Sequence, residues 1–117
     1  MTTVVLVAIT VYAGQYVGQP LYCGGYYDAT QPPWAAAPVG AGWECGDIAK
    51  VRIDGITYVY EIRDFGPFGD NCVMQPDGTC LPIGLDIPKM HAPFDALSTT
   101  GQVWNMAPIR ERWEAHR

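Results

Sequence analysis

The segment 48–63 constrains the fold most, because it carries the complete pattern of a β-hairpin. Residues 48–53 (IAKVRI) alternate apolar and polar side chains over most of their length, as a half-buried strand does. Asp54-Gly55 is a favoured two-residue turn between antiparallel strands. Residues 56–63 (ITYVYEIR) then return as the partner strand. The sequence therefore predicts a hairpin in the middle of the chain.

Composition limits the remaining possibilities. The chain has 117 residues, of which 49% are apolar and 16% charged, and this indicates one domain with one core. Thirteen glycines and ten prolines argue against a coiled coil or a helical bundle. Further strand-like runs at 4–12 and 101–106 predict an all-β fold with minor helix. Short helices are expected at 89–97, after Pro88, and at 108–117.

Charge and hydropathy limit the classes of binding partner that the chain can have. Twelve acidic residues against seven basic ones give a net charge of −5, which argues against nucleic-acid binding. The apolar run 4–13 is shorter than the ~20 residues that span a bilayer, so no membrane span is expected. It also lacks the positive flank of a signal peptide. We interpret it as the first strand, and the alternative that residues 1–13 are partly a signal segment stays open.

Four cysteines indicate two disulfide bonds. The sequence has no CxxC motif and only two histidines, so neither a metal nor a cofactor is expected. The turn-forming Pro-Asp-Gly at 76–78 brings Cys72 and Cys80 together. Cys23 and Cys45 pair by elimination. An extracellular location follows, and the alternative is four reduced thiols in a cytosolic protein.

Two carboxylates follow strand-like runs and have apolar neighbours. Asp64 lies in 63–68 (RDFGPF) and Asp86 lies in 85–88 (LDIP). Apolar surroundings raise the pKa of a carboxyl group, so Asp64 and Asp86 are candidate catalytic residues for acid/base chemistry. The alternative is that Asp64 caps a turn and Asp86 caps a helix. The motif alone favours capping.

These motifs resemble the double-psi β-barrel of rare-lipoprotein-A-like proteins, expansins and barwin. The resemblance covers about residues 7 to 107. It implies a six-stranded double-psi β-barrel as a single domain at 1–107, followed by a short helix or arm at 108–117. The segments that carry it are Asp64-Phe65-Gly66-Pro67-Phe68, 85–88, 89–97 and 101–104, with weaker matches at 9–12, 23–25 and 45–47.

The resemblance also implies chemistry on glycans. Asp86 matches the acid/base of related lytic transglycosylases, and Asp64 matches the other acidic position. The His that lytic members carry upstream is absent from 35–43, and Phe65 replaces an Arg. Enzymatic activity therefore stays open. The predicted function is a non-catalytic or weakly active expansin-like module that binds peptidoglycan or β-glucan.

Aromatic side chains in the loop-rich segment 14–46 are candidates for stacking on sugar rings. The alternative is that they pack over the core. The candidates are Tyr22, Tyr26, Tyr27, Trp34 and Trp43.

Two other functions stay open at this point. One is a structural assembly subunit with protein neighbours, for example in a virion (capsid or tail), with the chain termini as contact arms. The other is a protease inhibitor or defence protein of barwin type. It has less support, because barwin-like proteins carry more cysteines.

Overall fold

A computed structural model describes residues 4–12, 20–26, 33–68 and 70–105 of the chain. These residues form seven strands and one 3₁₀ turn, which confirms the all-β class. In chain order the strands are β1 (Val4–Tyr12), β2 (Trp34–Pro38), β3 (Ile48–Ile53), β4 (Ile56–Gly66), β5 (Cys72–Met74), β6 (Cys80–Pro88) and β7 (Ser98–Asn105). The helix expected at 108–117 lies outside the described residues.

The strands form one mixed sheet whose pairing closes on itself. The order is β1-β7-β3-β4-β2-β6-β5, and β1 also pairs with β6. Six strands therefore form a ring of backbone hydrogen bonds, and β5 lies outside the ring as a partner of β6. The pairs β1–β6 and β2–β4 are parallel, and the other pairs are antiparallel.

The predicted central hairpin is confirmed. β3 pairs with β4 in antiparallel register from Ile48 to Ile53. The turn residues Asp54 and Gly55 have φ angles of 51° and 81°. Two positive φ angles in succession match the twist of the flanking strands, which is why this dipeptide is favoured there.

The core lies inside the ring and is built from alternate residues of its strands. On β3 every second residue is buried, as the alternation of the sequence predicts. β4 contributes Ile62 and the mostly apolar Tyr60, whose hydroxyl donates a hydrogen bond to the carbonyl of His91 at 2.8 Å. The largest contributions from β6 are Leu85 and Ile87, both fully buried.

Two local predictions are wrong for physical reasons. The helix expected at 89–97 is a single 3₁₀ turn, Lys89–His91. It ends because Ala92 is extended (φ −77°, ψ 128°), as a residue that precedes a proline usually is. The segment 14–46 contains a strand, β2, which lacks alternation because all five of its residues are buried. Among the described residues, no helix is long and apolar enough to cross a membrane.

Candidate functional site

The two candidate catalytic carboxylates lie on strands that flank β2. Ala36 pairs with Asp64 on β4 and with Asp86 on β6. Ala35 and Ala37 belong to the core, so Ala36 and its two partners occupy the opposite face. Asp64 and Asp86 are two strand spacings apart, roughly 10 Å. They share a face of the sheet, and Ala36 separates them.

Asp86 is held by a neighbouring strand and is poorly hydrated. The hydroxyl of Thr10 on β1 donates a hydrogen bond to Asp86 Oδ1 at 2.8 Å. Burial raises the pKa of Asp86 to about 6, and the hydrogen bond from Thr10 opposes that rise. Burial therefore keeps Asp86 protonated to a higher pH than a solvated carboxyl group.

Replacing Asp86 with Asn should remove a pH-dependent loss of stability. Because the folded-state pKa of Asp86 lies above its usual value, the folded state binds the extra proton more tightly than the unfolded state does. Stability from this group is present at about pH 4 and is lost as the pH rises through about 6. Asp86→Asn keeps an acceptor for Thr10 and carries no charge. Its thermal midpoint relative to wild type should therefore rise between these pH values.

The control for this experiment is Asp95→Asn, at an exposed position. Its midpoint relative to wild type should change less over the same pH range. Thermal unfolding followed by circular dichroism at several pH values measures both differences. A pH-independent difference for Asp86→Asn would contradict the assigned pKa.

Asp64 bonds to the backbone of a distant loop. The amide of Tyr22 donates a hydrogen bond to Asp64 Oδ1 at 3.0 Å. The rings of Tyr22 and Phe65 form a T-shaped pair, with a centroid distance of 5.3 Å and an interplanar angle of 78°. This is a favourable aromatic geometry. Asp64 thus positions a loop that is distant in the sequence.

We call residues 20–26 the first loop. Leu21 donates its amide proton to the carbonyl of Gly25 at 3.1 Å, which closes the loop into a tight turn. Cys23 donates to the carbonyl of Arg63 on β4 at 3.1 Å. Since β3 pairs with β4 only as far as Glu61, the first loop bonds to β4 beyond the end of β3.

We call residues 39–46 the second loop. It follows β2 and is attached to the same half of β4 at both of its ends. The amide of Val39 donates to the carbonyl of Gly66 at 3.1 Å, and that of Gly46 donates to the carbonyl of Ile62 at 2.9 Å. The first and second loops therefore rest on one short stretch of β4, and we refer to them together as the paired loops.

Both predicted disulfide pairings are confirmed. Cys23–Cys45 joins the first loop to the second, with a Cα–Cα distance of 5.6 Å. Cys72–Cys80 closes the β5–β6 hairpin, with a Cα–Cα distance of 5.4 Å. Both distances lie in the usual range for disulfides. The alternative of four reduced thiols is therefore wrong.

The aromatic candidates for sugar stacking do not share one surface. Tyr22 and Tyr26 are 76% and 64% exposed. Trp34 is fully buried and forms a small apolar cluster with Leu21. Trp43 is partly buried and packs against the main core. Tyr27 lies outside the described residues. Among the candidates that the structure describes, the two tyrosines of the first loop are the most accessible to a ligand.

The concave space beside the paired loops is small. A shallow open cleft of about 240 Å³ lies next to the Cys23–Cys45 disulfide and is lined by Cys23, Gly24, Cys45, Gly46, Glu61, Ile62 and Arg63. Ligand pockets are usually larger, at ~300–1,000 Å³. Glu61 and Arg63 form an ion pair at its wall, with a distance of 2.6 Å. Within the described ranges, no three His, Cys, Asp or Glu side chains are placed to hold a metal ion.

Comparison with solved structures identifies a protein of the same architecture. The chain superposes on the Streptomyces papain inhibitor with a TM-score of 0.59 and 22% sequence identity. The match covers 88% of this chain and 93% of the inhibitor. The chain has the fold of that inhibitor. No protein-family model matches the sequence, and neither does any curated protein.

This match corrects the resemblance inferred from the sequence. The architecture is assigned to the papain inhibitor and not to rare-lipoprotein-A-like proteins, expansins or barwin. The predicted function, a module that binds peptidoglycan or β-glucan, is wrong, and so is the alternative of a virion subunit.

Proposed function

We propose that this chain is an inhibitor of papain-class cysteine proteases. One observation carries the proposal: the shared fold with the Streptomyces papain inhibitor, which extends over 88% of one chain and 93% of the other. Coverage this high in both directions means that the match extends well beyond a single hairpin.

The physical character of the chain supports inhibition by blocking. An inhibitor of this kind needs a rigid protruding surface and no catalytic groups. The Cys23–Cys45 disulfide and the backbone hydrogen bonds to β4 provide such rigidity in the paired loops. Two disulfides are also typical of proteins in oxidising compartments. The proposal therefore places the chain outside the cell, with extracellular proteases as its partners.

The proposal extends to the finer geometry of the fold. The ring of six strands is the closed double-psi arrangement expected from the sequence, and its two parallel pairs support this reading. Residues 1–107 make up the single domain, and residues 108–117 form a separate short helix or arm. Deletion of residues 108–117 tests the domain boundary. Backbone nuclear magnetic resonance signals of residues 1–107 are compared with and without this arm.

Hydrolysis of a fluorogenic peptide by papain tests the proposed function. Papain is activated with a reductant, which is then removed so that the disulfides of the chain stay intact. We expect saturable loss of papain activity as the oxidised chain is added, and no loss of trypsin activity. Full papain activity at large excess of the chain would refute the proposal. Mass spectrometry of the mixture would then show whether the chain is cleaved as a substrate.

A further inference from the structure

We propose that the paired loops are the surface that enters the active-site cleft of the protease, with Tyr22 as the central contact and Asp64 as its positioning residue. This inference rests on the proposed function and specifies the part of the fold that performs it.

The paired loops expose large apolar side chains at one end of the sheet. Tyr22 and Tyr26 in the first loop are 76% and 64% exposed, and Val39 in the second loop is 62% exposed. Both loops lie where the parallel strands β2 and β4 end. Exposed tyrosines are frequent central contacts in protein interfaces, because they bury a large area and lose little conformational entropy.

The paired loops are held in place before any partner binds. The first loop is closed by its own backbone bond and attached to β4, and the second loop is attached to β4 at both ends. Cys23–Cys45 joins the two. Binding then orders little additional backbone, which favours affinity.

Asp64 fixes the direction of the central contact. Its carboxylate accepts the amide proton of Tyr22, and the next residue, Phe65, packs against the Tyr22 ring. Backbone and ring of Tyr22 are thereby both oriented by β4. Asp64 acts on the partner only through Tyr22, and for that reason Asp64 is a positioning residue.

Charge also fits the proposed partner. The first loop (PLYCGGY) contains no charged side chain, and the second loop contains one, Glu44. Papain-class active sites contain a thiolate paired with a protonated histidine. An uncharged loop can approach this pair without being repelled by either charge.

Two other turns of the fold, β3–β4 and β5–β6, are poorer candidates. The β3–β4 turn is the polar dipeptide Asp54-Gly55. At the tip of the β5–β6 hairpin, Asp77 accepts hydrogen bonds from the amide and hydroxyl of Thr79, so its polar groups are satisfied internally. Among the turns that the structure describes, these two offer no large apolar side chain at the tip.

Inhibition constants of single variants against papain test the inference. Tyr22→Ala should weaken inhibition by about 30-fold or more, as loss of a central contact does. Asp64→Ala should weaken it by about tenfold. Asp64→Asn keeps an acceptor oxygen for the Tyr22 amide and should stay close to wild type. Val59→Thr and Met74→Ala, at sites 51% and 67% exposed elsewhere on the molecule, are the controls and should change little.

A photo-crosslinking residue provides a second measurement that does not depend on removing a side chain. Placed at position 22 it should crosslink to papain, and placed at position 59 it should not. If wild type inhibits while Tyr22→Ala and Asp64→Ala inhibit equally well, or if only position 59 crosslinks, the inference is overturned and the proposed function stands. If wild type does not inhibit papain, the proposed function itself fails.

Discussion

Removal of the Cys23–Cys45 disulfide should nearly abolish inhibition and lower the free energy of unfolding by about 3 kcal/mol. The bond spans 22 residues, so its loss releases a long loop in the unfolded chain. In the folded chain the disulfide also fixes the paired loops relative to each other, and without it each loop is held only by its hydrogen bonds to β4. Inhibition assays and urea denaturation of Cys23→Ser/Cys45→Ser measure the two effects.

The second disulfide supplies the matched control. Cys72–Cys80 spans 8 residues, and its loss should lower the free energy of unfolding by about 2.5 kcal/mol. It closes the β5–β6 hairpin, in which β5 is the edge strand and, among the described strands, pairs with β6 alone. Cys72→Ser/Cys80→Ser should therefore lose stability and keep inhibition. Loss of inhibition in this variant alone would assign the reactive surface to the β5–β6 hairpin.

The parts of the fold that the sequence predicts are those fixed by local chemistry. The Asp54-Gly55 turn and the alternation of β3 determine the central hairpin without help from the rest of the chain. The Pro-Asp-Gly turn likewise determines the Cys72–Cys80 pair. β2 is different. Its five residues are all buried, so they do not alternate between apolar and polar side chains, and the strand is too short to give a clear pattern. Its strand conformation depends on the neighbours β4 and β6, which local patterns do not reveal.

The site was only partly predictable for the same reason. The sequence singles out Asp64 and Tyr22, but their hydrogen bond joins residues 42 positions apart. Closure of the ring of strands decides which loop reaches Asp64. Val39 is an isolated apolar residue in the sequence, so no pattern marks it as a contact residue. The neighbouring glycines Gly40 and Gly42, both with positive φ, were the available indication of a tightly turned second loop.

Replacing Gly84 with Ala should destabilise the fold by about 1–3 kcal/mol. The pairing of β1 with β6 closes the ring, and its register shifts between Ala8 and Ile9, where the paired residues of β6 pass from one side of Gly84 to the other. A Cβ atom on Gly84 would lie 2.8 Å from the Cβ of Val7, which is closer than the two strands allow. Urea denaturation of the variant measures the loss.

Truncation of Val7 should relieve part of this clash, because Val7→Ala removes the two methyl groups that the new Cβ also meets and leaves only the contact with the Cβ of residue 7. Val7→Ala alone leaves a cavity and is also destabilising. In the double variant the two losses should therefore sum to less than their separate values, with a coupling of about 0.5–3 kcal/mol. Gly78→Ala is the control: φ is +90° and nothing lies within 4 Å of the added atom, so backbone strain causes its loss. Val7→Ala should not rescue Gly78→Ala. If the losses from Val7→Ala and Gly84→Ala are additive, close approach of β1 and β6 is not what requires glycine at position 84.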